Sequence, residues 1–239
     1  IIRFYRYLRT HVEAFGSSAV SSAWTLTVKV LDCNYIMDIN NNGNVRQILC
    51  YGDSLTAGYC NYGSEFSPYA RTLSELAGFG VNVNVVGMSG WTTDQMVQYA
   101  GHKNNEDVVG EGGDGLLVLL KSVKYDVVFL MAGTNDIGSG VPTVDMIENI
   151  EMLVKMVLVS NGSPKVILLG PPATGAELKD EDYKIIRQEV NEQLAKIAAE
   201  SKGRAFFIDT SLALPNPGVH PEPETEESLL WDSDMLHLS

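Results

Sequence analysis

Ser54 is the first residue whose type and placement suit it to chemistry. It lies in Gly-Asp-Ser-Leu-Thr-Ala-Gly, residues 52–58, directly after the apolar run 48–51. An apolar run that breaks into Gly-Asp-Ser predicts a buried strand and then a tight turn into a helix. The serine hydroxyl would lie at the carboxyl end of that strand, where open α/β sheets place their ligand sites. A serine becomes a nucleophile only beside a base and a group that stabilises an anion.

Two further strand ends carry groups that can stabilise an oxyanion. Gly90 follows an apolar run that ends at Val86, and no side chain shields its backbone N–H. Asn135 follows the apolar run 127–131, and its side-chain amide can donate to a developing negative charge. Each residue alone also fits an ordinary role, as a turn glycine or as an Asx turn or helix cap.

An aspartate and a histidine near the end of the sequence can supply the base. Asp234 and His237 are separated by Met235 and Leu236. On a helical turn this spacing brings both side chains to one face, so the carboxylate holds one ring nitrogen while the other faces outward. That pair is the orienting acid and the base of a serine triad. A histidine without such partners is more simply a surface residue.

In this order the four stretches resemble the four sequence blocks of the SGNH hydrolase superfamily, also called the GDSL lipase/esterase family. The resemblance covers about residues 46–239. It implies that Ser54 is the nucleophile, that His237 is the general base and then the general acid, and that Asp234 orients the histidine.

The same resemblance implies an oxyanion hole. Its donors would be the backbone N–H groups of Ser54 and Gly90 and the side-chain amide of Asn135. Trp91 suits an aromatic pocket wall and a core position equally well. The candidate substrate-binding residues are Asp53, Trp91 and Thr134.

The implied activity is two-step hydrolysis of small to medium carboxylic esters through an acyl-enzyme, with no metal ion and no organic cofactor. Residues 48–58, with Gly-Thr-Asn-Asp and Leu-Gly-Pro-Pro further on, look most like the arylesterase and acyltransferase branch. Carbohydrate deacetylation and lysophospholipid hydrolysis use the same machinery and stay open. So does an inactive binding module, because the family usually continues past the histidine with a helix and this sequence stops at Ser239.

Short apolar runs alternate with helical periods from residue 48 onward, which predicts βαβ units. We expect a three-layer α/β/α sandwich with a mainly parallel five-stranded sheet. The predicted strands are residues 48–51, 81–86, 127–131, 166–169 and 205–208. The predicted helices are residues 68–77, 92–99, 144–159 and 180–201.

The remaining stretches are less specific. Residues 1–45 form an extension of unreadable role, with one short predicted strand at 24–31, before the domain at 46–239. The loops at 101–115 and 214–227 suit a solvated surface and a cleft rim equally. The mixed charges at 177–189 predict a solvated helix face.

Composition excludes several classes of partner. The formal net charge of -13 over 239 residues disfavours nucleic acid and anionic lipid. The Cys count of 3 gives no disulfide framework and no metal-like spacing. No apolar run is long enough to span a membrane. The expected partner is a small-molecule ester, whereas compartment and oligomeric state are left open.

Overall fold

The computed structural model describes residues 45–214, 216, 219, 231–232 and 234–237. The predicted N-terminal extension, its strand at 24–31 and most of the predicted loop at 214–227 lie outside the described residues.

Five strands form the central sheet of the described domain: β1 (Arg46–Gly52), β4 (Val81–Gly87), β7 (Val127–Met131), β8 (Lys165–Leu169) and β9 (Ala205–Ile208). Two short antiparallel hairpins are β2 (Tyr59–Cys60) with β3 (Glu65–Phe66), and β5 (Asn105–Glu106) with β6 (Gly112–Gly113). The central sheet has the order β4-β1-β7-β8-β9. Every neighbouring pair in it is parallel, which confirms the predicted fold class.

Helices follow most of the strands. They are α1 (Ser54–Ala57), α2 (Tyr69–Ala77), α3 (Thr93–Gln98), α4 (Leu116–Ser122), α5 (Thr134–Ser139), α6 (Thr143–Leu158), α7 (Glu181–Glu200) and α8 (Thr210–Ala213). Two 3₁₀ turns cover Asn61–Gly63 and Gly175–Leu178. Sequence reasoning missed α4, because its apolar residues run on toward those of β7. In the part of the chain that the structure describes, no helix is long and apolar enough to cross a membrane.

Apolar side chains fill both faces of the sheet. Leu49 and Tyr51 of β1 point into a core that also receives Leu153 of α6 and Leu194 of α7. The alternate β1 residues pack on the other face, where Ala70 of α2 is buried with them. Coverage on both faces explains why the central strands are apolar without alternation.

The strand order brings three loops together. β1 lies between β4 and β7, and parallel strands end at the same edge of the sheet. The loops after these three strands carry Ser54, Gly90 and Asn135. An open sheet binds ligands outside the carboxyl ends of its strands, so the topology places these three residues around one point.

Candidate active site

The turn from β1 into α1 presents Ser54. The Asp53 carboxylate accepts a hydrogen bond of 3.0 Å from the Leu55 N–H and so caps α1. Gly52 has to be glycine, because a Cβ there would lie 2.3 Å from the Met131 carbonyl oxygen. The turn therefore fits closely against β7, and Ser54 is the first residue of the helix.

Ser54, His237 and Asp234 form a continuous relay. The Ser54 Oγ lies 2.8 Å from His237 Nε2, and His237 Nδ1 lies 2.7 Å from Asp234 Oδ2. Burial disfavours the charged Asp234 carboxylate, but hydrogen bonds from His237 and Leu236 outweigh it and lower the Asp234 pKa. An ionised Asp234 keeps the proton on Nδ1, which leaves Nε2 free to accept the Ser54 proton.

The turn that carries Asp234 and His237 is not helical, contrary to the predicted helical turn. Met235 has a φ of 55°, in the left-handed region. The other Asp234 oxygen instead accepts the backbone N–H groups of Leu236 and His237, each at 2.9 Å. This local hydrogen bonding of an aspartate to the backbone that follows it sets the spacing between carboxylate and ring.

Contacts from three other segments hold this turn in place. The Met235 carbonyl accepts 2.9 Å hydrogen bonds from the Gly175 N–H and from the side chain of the fully buried Asn216. The Asp232 carboxylate accepts the Asn61 N–H at 2.5 Å. The Tyr59 ring, from the β2–β3 hairpin, lies 4.6 Å from the His237 ring, centroid to centroid. Sequence reasoning did not identify Asn216 or the hairpin.

The candidate oxyanion loops are joined to each other. The Asn135 side-chain amide donates to the Trp91 carbonyl oxygen at 3.0 Å. The buried Asp136 carboxylate accepts the Thr93 N–H at 2.9 Å and the Thr93 hydroxyl at 2.6 Å. Burial raises the Asp136 pKa, and the Thr93 hydrogen bonds partly offset that. These bonds fix the loop containing Gly90 against the start of α5.

The β5–β6 hairpin supports the Gly90 loop from its other side. Asp107 is buried, and its carboxylate accepts the Ser89 N–H at 2.8 Å. Gly90 has a φ of 75°, and a Cβ there would lie 2.6 Å from Val108 Cγ2. Residues 101–115 therefore border the site. Among the acidic residues of this loop, Asp107 is buried and has a structural role.

The three candidate substrate-binding residues lie in different places. Asp53 is fully buried below Ser54, where burial raises its pKa to about 7. Trp91 is 5% exposed and packs on Tyr99 with ring centroids 5.3 Å apart, so it occupies a core position. Thr134 lines a cleft beside the triad. Of these three, only Thr134 has a position suited to contact with substrate.

That cleft has a volume of about 230 Å³ and extends from Asn135 and Leu236 toward α7. Glu177 and Arg187 line it as an ion pair, with Arg187 Nε 2.6 Å from Glu177 Oε1. Their side chains are only 2% and 7% exposed. The prediction of a solvated face at 177–189 is wrong for these two residues, since the 3₁₀ turn at Gly175–Leu178 covers this side of α7.

The fold and this arrangement define a serine hydrolase with an open parallel sheet. The model of the GDSL-like lipase/acylhydrolase family matches residues 50–239, and the chain belongs to that family. Its enzyme class is therefore carboxylic ester hydrolase. Among curated proteins, no sequence matches the chain.

Several solved structures share the fold. A lipase/acylhydrolase from Enterococcus faecalis is 24% identical, with a TM-score of 0.58 over 81% of this chain and 87% of that one. Axe2, an acetylxylan esterase from Geobacillus stearothermophilus, is 19% identical, with a TM-score of 0.58 over 82% and 88%. Est24, a carbohydrate acetylesterase from Sinorhizobium meliloti, is 22% identical, with a TM-score of 0.53 over 81% and 91%. At these identities the likeness establishes the fold.

Proposed function

We propose that the protein hydrolyses small to medium acyl esters through an acyl-enzyme on Ser54. The observation that carries this proposal is the unbroken relay from Asp234 through His237 to the Ser54 hydroxyl, at 2.7 Å and 2.8 Å. It lies next to two loops that can supply oxyanion donors. A serine that merely filled space would not need a base oriented by a carboxylate.

The first step is acylation. His237 Nε2 takes the Ser54 proton as Oγ attacks the ester carbonyl carbon. The oxyanion that forms accepts hydrogen bonds from the Gly90 N–H and the Asn135 amide. His237 then gives its proton to the departing alkoxide oxygen, so the alcohol leaves and the acyl group stays on Ser54. The charged Asp234 stabilises the imidazolium between these transfers.

Deacylation repeats the sequence with water as the nucleophile. His237 removes a proton from water, which attacks the acyl carbonyl, and returns it to Ser54 Oγ as the acid departs. If an alcohol replaced water as the nucleophile, the same steps would transfer the acyl group to that alcohol. Because both reactions use the same residues, the resemblance to the acyltransferase branch stays a prediction.

The test is hydrolysis of p-nitrophenyl esters from acetate to palmitate, with Ser54→Ala as control. We expect turnover of the shorter esters by the unmodified protein and none above background by the variant. Ser160→Ala, a serine in the turn after α6, is the matched control and should keep full activity. Equal turnover by the Ser54→Ala variant would contradict the proposal.

An inactive binding module with the same fold is the alternative from a different class. A fluorophosphonate probe separates the two, because only an activated serine reacts with it. We expect labelling of Ser54 that disappears in a His237→Ala variant. A folded protein that is not labelled at all would favour the binding module.

Carbohydrate deacetylation is a second candidate within the esterase class. Est24 and Axe2 are named as esterases of acetylated carbohydrates, although their low identity transfers only the fold. The cleft lined by Glu177 and Arg187 supports this candidate independently, because it offers polar groups beside the triad. Lysophospholipid hydrolysis has no comparable support in the described residues.

A further inference from the structure

The β2–β3 hairpin places the ring of Tyr59 against the imidazole of His237. The two ring centroids lie 4.6 Å apart, and the ring planes are tilted by 45°. Both nitrogens of the imidazole are already engaged, Nδ1 with Asp234 and Nε2 with Ser54. Tyr59 therefore adds a third contact to the imidazole, which supplements its two hydrogen bonds.

The Tyr59 ring is itself held in place by the hairpin. Phe66 pairs with Tyr59 across the two strands, and the rings meet edge to face with centroids 6.0 Å apart. Gly63 leaves room for the Tyr59 ring, because a Cβ there would lie 2.8 Å from Tyr59 Cε2. A ring that is confined in this way can limit the rotation of the imidazole that it contacts.

The same hairpin is joined to the backbone of the turn that carries the histidine. The Asn61 N–H donates to the Asp232 carboxylate at 2.5 Å. The Asp232 N–H in turn donates to the His237 carbonyl oxygen at 2.8 Å. The side chain and the backbone of His237 are thus both connected to one short segment, which begins at Tyr59.

An aromatic ring at this position affects the charged form of the base more than the neutral form. His237 becomes an imidazolium when it takes the Ser54 proton. A cation within about 6 Å of an aromatic centroid is attracted by the ring quadrupole, and the Tyr59 centroid lies inside this distance. Because the attraction arises as the proton is transferred, it lowers the energy of the transition state more than that of the resting enzyme.

We propose that Tyr59 is a positioning residue of the active site. Its ring holds the His237 imidazole between Asp234 and Ser54 and stabilises the imidazolium. The proposal rests on the esterase function proposed above and adds an aromatic contact to the triad. It assigns the effect to the ring of Tyr59, so the phenol hydroxyl is not needed.

The experiment compares Tyr59→Phe with Tyr59→Leu in the hydrolysis of p-nitrophenyl acetate. The phenylalanine variant keeps the ring and should keep most of the activity. In the leucine variant kcat should fall about threefold to thirtyfold, the range of a cation–π attraction, with a smaller change in KM. Phe66→Leu is the matched control, because it removes a ring from the same hairpin one contact further from His237, and it should leave kcat nearly unchanged.

Two further measurements separate this effect from a loss of folding or a slow product release. Circular dichroism during heating should place the unfolding midpoint of each variant above the assay temperature. Tyr59→Met, which fills the space with a flexible apolar chain, should show the same loss and replaces the leucine variant if that one unfolds. Fluorophosphonate labelling of Ser54 should slow by the same factor as kcat, since it requires the activated serine but no product release.

Equal kcat values for the phenylalanine variant and the folded leucine or methionine variant would overturn the Tyr59 proposal, and so would a loss confined to KM. Turnover by the unmodified protein that depends on Ser54 would still support the esterase function in that case. No turnover by the folded, unmodified protein would overturn both proposals.

Discussion

Ser54, Gly90 and Asn135 each follow a strand of the central sheet, whereas Asp234 and His237 lie on a turn outside it. We call these groups the strand-end half and the turn half of the site. The strand-end half inherits its geometry from parallel pairing of β1 with β4 and β7. The turn half depends on single hydrogen bonds from Gly175 and Asn216 and on contacts with the β2–β3 hairpin. Both halves must reach the same reacting carbon, but the sheet supports the strand-end half more firmly than these contacts support the turn half.

The largest expected effect comes from variants that test whether the two halves act together in catalysis. Ser54→Ala and His237→Ala should each lower kcat by roughly 10⁴ to 10⁶, because nucleophile and base act as one unit. The double variant should therefore be no slower than either single variant. Steady-state ester hydrolysis measures all three. Losses that multiply in the double variant would show that the two halves act independently.

The next effect isolates the strand-end half. Asn135→Ala should lower kcat by roughly 10² to 10³ with a smaller change in KM, because an oxyanion donor acts mainly in the transition state. Asn82→Ala, on the exposed part of edge strand β4, is the control and should keep its rate. A change confined to KM would indicate that Asn135 binds ground-state substrate instead.

Heating should show whether the turn half is lost at a lower temperature than the strand-end half. Asp136→Ala leaves the buried Thr93 donors unpaired and should destabilise the fold by about 1–3 kcal/mol, so activity and structure are lost at one temperature. Asn216→Ala removes the bonds that join the Met235 and Ala173 carbonyls, so the turn half should loosen first, and activity should fall at a lower temperature than global unfolding. Initial rates and circular dichroism during heating give both midpoints. Coincident midpoints in Asn216→Ala would mean that the turn half is no weaker than the sheet.

The last effect appears only as a change in pH dependence and concerns the capping carboxylate below Ser54. Burial raises the Asp53 pKa from 3.8 to about 7, so the folded state binds this proton more tightly than the unfolded state does. Its contribution to stability is complete below pH 3.8 and is lost as the pH rises toward 7. Between pH 5 and pH 8 Asp53→Asn should remove roughly 3 kcal/mol of this decline, because about two pKa units of the shift lie above pH 5. Urea unfolding at pH 5 and pH 8 gives the change in the free energy of unfolding between the two pH values, with exposed Glu192→Gln as the control. The same change in both variants would contradict this prediction.

Sequence could predict the strand-end half because its information is local. Gly52 and Ser54 mark the end of the strand and the start of the helix within three positions, whereas Asp53, expected among the substrate-binding residues, caps that helix instead. The boundaries of α2, α3, α6 and α7 were likewise predicted to within a residue or so of the observed ones, since capping and periodicity act over a few residues.

The rest depends on distant contacts that have no local pattern. Arg187 and Glu177 look like surface charges until the 3₁₀ turn at Gly175–Leu178 folds over α7. Asp107 looks like one more acid in a polar loop until it meets the Ser89 N–H. In both cases burial comes from tertiary packing, which charge and spacing do not encode.

Asp107 fixes the hairpin beside Gly90 to the Ser89 backbone, and Val108 and Val109 at its tip are exposed at 71% and 43%. Val108 also packs against Gly90 and donates its backbone N–H to the Ser89 carbonyl. Changes at position 108 therefore act on the loop that would hold the oxyanion, whereas position 109 lies one residue further from it. A library that varies position 109 and keeps Asp107 and Val108 would alter this rim of the site while preserving the packing on Gly90.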